Sequence, residues 1–134
     1  MRTGSFLKLV IVVTLPATLA LAPHGAAPAS HLVRLTANRF VPAETTVRPG
    51  DTVQFLNGPG GPHNVQFMAE SLSVSARALI DAAMQDRILA LTSPMFIIPE
   101  DTWRFVVPEL VPGRYPFLCS PHYASMRGGL TVTR

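Results

Sequence analysis

The run Tyr115-Pro116-Phe117-Leu118-Cys119-Ser120-Pro121-His122, followed by Met126, constrains this chain more than any other stretch. Tyr115, Phe117 and Cys119 alternate, so an extended strand places two rings and a thiol on one face and aims the sulfur into the protein. Pro121 stiffens the turn that follows, which lets His122, three positions after the cysteine, swing back toward the sulfur. Met126 closes the loop, and Gly128 and Gly129 are read as backbone freedom for entry into a last strand. One short loop thus carries a thiolate, an imidazole and a thioether.

A second imidazole lies upstream in Gly61-Pro62-His63-Asn64-Val65. His63 shares the inward parity of Val65 and Phe67, and the glycine- and proline-rich Asn57 to Pro62 (NGPGGP) delivers it. Taken alone, His63 reads as a core histidine satisfied by hydrogen bonds, and Cys119 as a small buried hydrophobe. Together with His122 and Met126 they form a different pattern. Two imidazoles, one cysteine sulfur and one weak axial thioether suit a single copper ion cycling between a cuprous state that favours soft sulfur and a cupric state that favours nitrogen.

Val53 to Phe67 (VQFLNGPGGPHNVQF) and Val111 to Val132 (VPGRYPFLCSPHYASMRGGLTV) resemble the cupredoxins, the plastocyanin- and azurin-like type I blue copper proteins. The resemblance implies that His63, Cys119 and His122 are equatorial copper ligands, that Met126 is axial, and that Asn64 braces the two ligand loops by hydrogen bonding. The chain departs from plastocyanins twice. Its gap between the loop histidine and the methionine is one residue shorter than theirs and one longer than in amicyanins, matching azurin's. Leu118 also stands where plastocyanin carries a tyrosine used as a remote electron port.

The cysteine at 119 is the only one among 134 residues. That excludes an internal disulfide, a zinc ribbon and a binuclear copper-A centre, each of which needs at least two. Charged residues make up 14% of the chain and hydrophobic ones 48%, which excludes a disordered polymer. The net charge of +3 owes much to Arg2 and Lys8, so from Ser30 onward the balance is close to neutral and no nucleic-acid partner is expected.

Residues 9–22 (LVIVVTLPATLALA) are uncharged and mostly apolar behind Arg2 and Lys8, the pattern of a secretory signal. Small-residue cleavage sites stand at Ala20-Leu21-Ala22 and at Ala27-Pro28-Ala29. An uncleaved segment would instead be a hydrophobic helix anchoring the chain in the inner membrane, with Arg2 and Lys8 cytoplasmic. We therefore expect residues 1–29 to be signal or anchor plus linker, and 30–134 to be one cupredoxin domain. His24 and His31, flanking the linker, lack a ligand-like context.

Strands are expected over His31–Thr36, Thr45–Arg48, Thr52–Leu56, Asn64–Met68, Met95–Ile98, Thr102–Val107, Arg114–Cys119 and Gly129–Thr133. Pro116 argues for an edge or irregular position within its strand. Ile80, Met84, Ile88 and Leu91 recur at helical spacing, predicting one amphipathic helix over Val74–Leu91 with Arg77 and Asp81 paired across a turn. The expected architecture is all-β, a Greek-key sandwich of seven or eight strands with one helical insertion.

A copper held by four protein ligands leaves little room for substrate, so the expected role is passing single electrons and not enzymic bond chemistry. His122 would be the exit, with Pro59, Pro62, Pro121 and Tyr123 as an apolar docking patch. Expected partners are a cytochrome or a membrane redox complex such as a photosynthetic reaction centre or a terminal oxidase, met on the periplasmic side. The alternative is a structural subunit of cupredoxin fold docked permanently on such a complex, with copper absent.

Overall fold

The computed structural model describes residues 26–134. The signal or anchor reading of the N-terminal segment, its hydrophobic helix and His24 lie outside these residues. Eight strands form two four-stranded sheets. The first has the order β2 (Arg39–Val41), β1 (Ser30–Thr36), β4 (Thr52–Asn57), β6 (Thr102–Val106). The second has the order β3 (Glu44–Val47), β8 (Arg127–Val132), β7 (Gly113–Leu118), β5 (Gln66–Phe67). The β1–β4 and β3–β8 pairs are parallel and the other ladders antiparallel.

Alternation along the strands builds the layer between the sheets. Val33 and Leu35, Val53 and Phe55, and Trp103, Phe105 and Val107 face it from one side; Phe67, Tyr115, Phe117, Leu130 and Val132 face it from the other. Phe117 is its hub, with ring centroids 4.8 Å from Phe40, 5.7 Å from Phe55 and 5.8 Å from Phe67, all edge-to-face. Cys119 continues the same face two residues on, fully buried. The residue that would ligate a metal is therefore rooted in the aromatic core.

Pro116 lies within the ladder, opposite Gly129 of β8. Its carbonyl accepts from Met68 N (3.0 Å) on the other side, just past the end of β5. The N–H it lacks would face the same neighbour, at the point where that ladder has stopped, so the proline removes no bond from β5.

Neither Gly128 nor Gly129 takes a positive φ, and Gly128 serves packing. A Cβ on Gly128 would stand 2.6 Å from Phe117 Cε2 and 2.7 Å from the Ala43 carbonyl oxygen. In the loop before His63 the need is conformational: Gly60 has φ +121°, and a Cβ there would meet the backbone of Ala37 at 2.5 Å.

The helix α1 spans Val74–Ala83, shorter than its apolar spacing suggests. Ser73 caps it by accepting from Ala76 N. Asp81 accepts from Leu91 N at 2.8 Å and faces Arg87 at 3.3 Å in place of Arg77, while the chain leaves the helix at the extended Met84, and Asp86 and Leu91 beyond it take positive φ. Ile80 and Met84 enter the core, whereas Ile88 is exposed. Trp103 Nε1 donates to the Gln85 carbonyl at 3.0 Å, which packs the insertion against β6. Among the described residues no helix is long and apolar enough to cross a membrane.

Other strands also differ from expectation: Asn64–Met68 shortens to the two residues of β5. Met95–Ile98 contributes only a bridge at Phe96, because the N–H groups of Ile97 and Ile98 both donate to Asp101 Oδ2. The unexpected β2 has three residues, too few to display alternation.

Far along the chain from the ligand loop, Asp51 closes the β3–β4 turn onto the start of β1. Its carboxylate accepts from Ala29 N (2.7 Å), His31 Nε2 (2.9 Å) and Arg48 N (2.9 Å). Burial alone would raise its pKa, but these three donors outweigh it and hold the carboxyl below its usual value.

Candidate metal centre

Three donor side chains converge at one end of the sandwich. His63 Nδ1 lies 3.8 Å and His122 Nδ1 3.5 Å from Cys119 Sγ, and the two imidazole rings stand 5.0 Å apart. The donor atoms all fall within 4.8 Å of one another, and no other such group of three occurs among the described residues. Met126 is fully buried at the end of the same loop.

Backbone pairing fixes each donor. The N–H and C=O of His63 pair with Phe96 at 3.1 and 2.8 Å, which seats the loop before β5 on the chain that leads to β6. Cys119 N donates to the Met126 carbonyl at 3.1 Å, and one helical turn over Ser120–His122, with Pro121 as its second residue, folds the loop so that Met126 N reaches the His122 carbonyl at 2.9 Å. The loop is thus closed across its own ends.

The two ligand segments are tied together beside the sulfur. Asn64 Oδ1 accepts from Ser120 N at 2.7 Å, and Asn64 Nδ2 donates to Ser120 Oγ at 3.1 Å. Ser120 Oγ in turn donates to Gln66 Oε1 at 2.6 Å. Ser120 and Gln66 were not singled out in the sequence. Ser120 could have been, as the polar neighbour of a buried thiol, but Gln66 has the parity of any solvated strand residue.

Burial favours the neutral forms of both His63 and Cys119. Burial, followed by the neighbouring His122, holds His63 below the usual imidazole value, so the ring stays neutral with a lone pair free. Burial pushes the Cys119 thiol up, and the backbone N–H groups of Asn64 and His122 offset this only in part. A coordinated metal ion removes such a proton outright. First-row metals sit about 2.0–2.3 Å from imidazole nitrogen and thiolate sulfur, so ligands of one ion stand within about 4.4 Å of each other. The nitrogen-to-sulfur separations of 3.8 and 3.5 Å meet that limit, the whole donor set falls within 4.8 Å, a little wider, and the mixed soft and borderline donor set suits copper.

A Greek-key sandwich with a largely buried His-Cys-His cluster at one end, and a methionine closing the ligand loop, defines a cupredoxin. Residues 32–133 match the family of copper binding proteins described as the plastocyanin/azurin family, and the chain belongs to it. Members of this family transfer electrons.

The chain is 34% identical over 103 residues to the minor isoform of chloroplastic plastocyanin from Arabidopsis thaliana, covering 69% of this chain and 50% of that protein. It is 36% identical over 94 residues to chloroplastic plastocyanin from Oryza sativa subsp. indica, covering 69% and 54%. It therefore spans about half the length of these relatives. Plastocyanin of Rumex obtusifolius is 33% identical over 94 residues, with 86% of its length covered. Among solved structures, a mutant fern plastocyanin superposes with TM-score 0.59 at 27% identity, covering 76% of this chain and 99% of that one. A reduced amicyanin mutant gives 0.56 at 25%, covering 78% and 82%.

Proposed function

We propose that this chain is a type I copper protein that carries single electrons between membrane redox partners on the periplasmic side. In this reading His63, Cys119, His122 and Met126 would hold the ion. A copper ion held this way supplies one-electron redox chemistry between Cu(I) and Cu(II). The observation that carries the reading is the convergence of His63 and Cys119, 56 positions apart, on one point that also includes His122.

The residues around the cluster favour a carrier over a catalyst. His63, Cys119 and Met126 are fully buried, and His122 alone of the four is partly exposed, so water and substrate are kept from the site while one ring edge reaches the surface. Pro59 and Pro62, on the loop before His63, and Pro121 and Tyr123, beside His122, are exposed. They form the apolar rim on which a cytochrome or a membrane complex would dock. Electron transfer asks for a site whose geometry is alike in both oxidation states, and the hydrogen-bonded brace through Asn64 supplies that rigidity.

The test is addition of Cu(II) to the purified chain. Intense blue absorption with the narrow copper hyperfine splitting of a thiolate site, absent in Cys119→Ala, supports the carrier. A colourless, metal-free protein that co-purifies with a membrane complex overturns it in favour of a docked scaffold subunit.

A further inference from the structure

We infer that Gln66 is a positioning residue for the ligand loop: its side-chain carbonyl orients the Ser120 hydroxyl and so fixes the segment that follows Cys119. The inference rests on the reading of Cys119 as a copper ligand, but its geometry is independent of the ion.

Gln66 sits on β5 at a position that points away from the core, between the buried Val65 and Phe67. Such a residue usually ends in solvent. Here Oε1 instead accepts from Ser120 Oγ at 2.6 Å, the shortest of the three bonds at Ser120. A serine hydroxyl has one hydrogen and two lone pairs. With its hydrogen directed to Gln66, its oxygen is turned toward Asn64 Nδ2, and Asn64 Oδ1 is left free to take Ser120 N. Without Gln66 the hydroxyl can rotate and offer its hydrogen elsewhere, and the polarised chain weakens.

Gln66 is well placed for this because its backbone is pinned on both sides. It pairs with Leu118 of β7 on one side and forms a bridge with Thr92 on the other. Its neighbours are held as well: Val65 N donates to Ser93 Oγ at 2.9 Å, and Phe67 N to the Leu91 carbonyl at 2.9 Å. The side chain therefore reaches Ser120 from a fixed root, and Ser120 is the residue directly after the buried sulfur. Loop position passes from β5 to Cys119 by a route that avoids the imidazoles.

The experiment compares Gln66→Val, which keeps a strand-forming side chain but removes the acceptor, with Gln66→Glu, which can still accept. In the metal-free full chain, amide hydrogen exchange at Ser120 N–H should rise about fivefold in Gln66→Val, the factor expected from losing one ordinary hydrogen bond, and stay near wild type in Gln66→Glu. In a Ser120→Ala background Gln66→Val should add no further rise at residue 120. The copper-loaded Gln66→Val protein should show an altered hyperfine splitting that Gln66→Glu restores. Equal exchange in wild type and Gln66→Val, equal effects of Val and Glu, or an additive effect in Ser120→Ala overturns the inference. Failure to take up copper would sink the proposed function, while the exchange data still decide the role of Gln66.

Discussion

Asn64 holds Ser120 at two atoms, accepting from its amide at 2.7 Å and donating to its hydroxyl at 3.1 Å, although 56 positions separate the two residues. Because Asn64 follows His63 and Ser120 follows Cys119, this pair sets the distance between the two ligand segments. Asn64 is itself buried. Asn64→Ala leaves the half-buried Ser120 amide N–H without its acceptor, so urea unfolding of the metal-free protein should show a loss of about 1–3 kcal/mol with an unchanged denaturant slope. A loss below about 0.5 kcal/mol, the range of ordinary surface substitutions, would show that the brace does not hold the loops.

Gly128 gives a second, sterically defined prediction. The space where its Cβ would go is filled by the Phe117 ring and the Ala43 carbonyl, and neither can retreat without disturbing the aromatic hub or the turn into β3. Gly128→Ala should destabilise the fold by about 1–3 kcal/mol, the usual cost of overpacking a filled core, even though alanine is the better residue in most backbones. A thermal midpoint equal to wild type would refute the packing role.

The ligand loop was legible because its information is local. Cys119, His122 and Met126 lie within eight residues, and strand alternation through Tyr115 and Phe117 already aims the sulfur inward. His63 was legible through its parity with Val65 and Phe67 and the loop that delivers it. What stayed hidden depends on partners distant in sequence. The apolar period through Ile88 and Leu91 continues beyond the real helix, since Asp81 captures Leu91 N and Asp86 takes a positive φ, neither of which periodicity registers.

Phe96-Ile97-Ile98 has the composition of a strand, yet Asp101 takes the N–H groups that a ladder would need. Asp51 reads as a turn residue, and only the fold reveals that Ala29 and His31, 22 and 20 positions earlier, meet it. Gln66 is the extreme case. Nothing in its sequence context separates a residue pointing into solvent from one that orients a ligand loop.

Asp51 makes acid stability predictable in sign. Its folded pKa lies below the unfolded value near 3.8, so its charged, hydrogen-bonded form contributes stability that is fully present above that value and is lost as pH falls through the folded pKa. Asp51→Asn removes this contribution. The stability gap between wild type and Asp51→Asn should be constant above about pH 5 and narrow steadily as pH falls below the unfolded value, measured by urea unfolding at a series of pH values. A gap that widens toward acid would mean that burial, not the donors from Ala29, His31 and Arg48, controls the carboxyl.

Copper itself should act as a stabilising ligand, because three of its four proposed donors meet only when β5, β7 and their loops are in place. Unfolding parts His63 from Cys119, so an ion that binds the native state preferentially shifts the equilibrium by mass action, by about 4 kcal/mol when free ion exceeds its dissociation constant a thousandfold. Cys119 and His122 remain three residues apart in the unfolded chain and keep some affinity there, which trims this figure. The thermal midpoint should therefore rise on loading with Cu(I) and fall back after removal by a chelator. His63→Ala should abolish most of the rise, since it leaves only the loop donors Cys119, His122 and Met126 that the unfolded chain also offers, and Cys119→Ala should abolish it entirely. An undiminished rise in His63→Ala would place the ion on the loop alone and exclude the shared site.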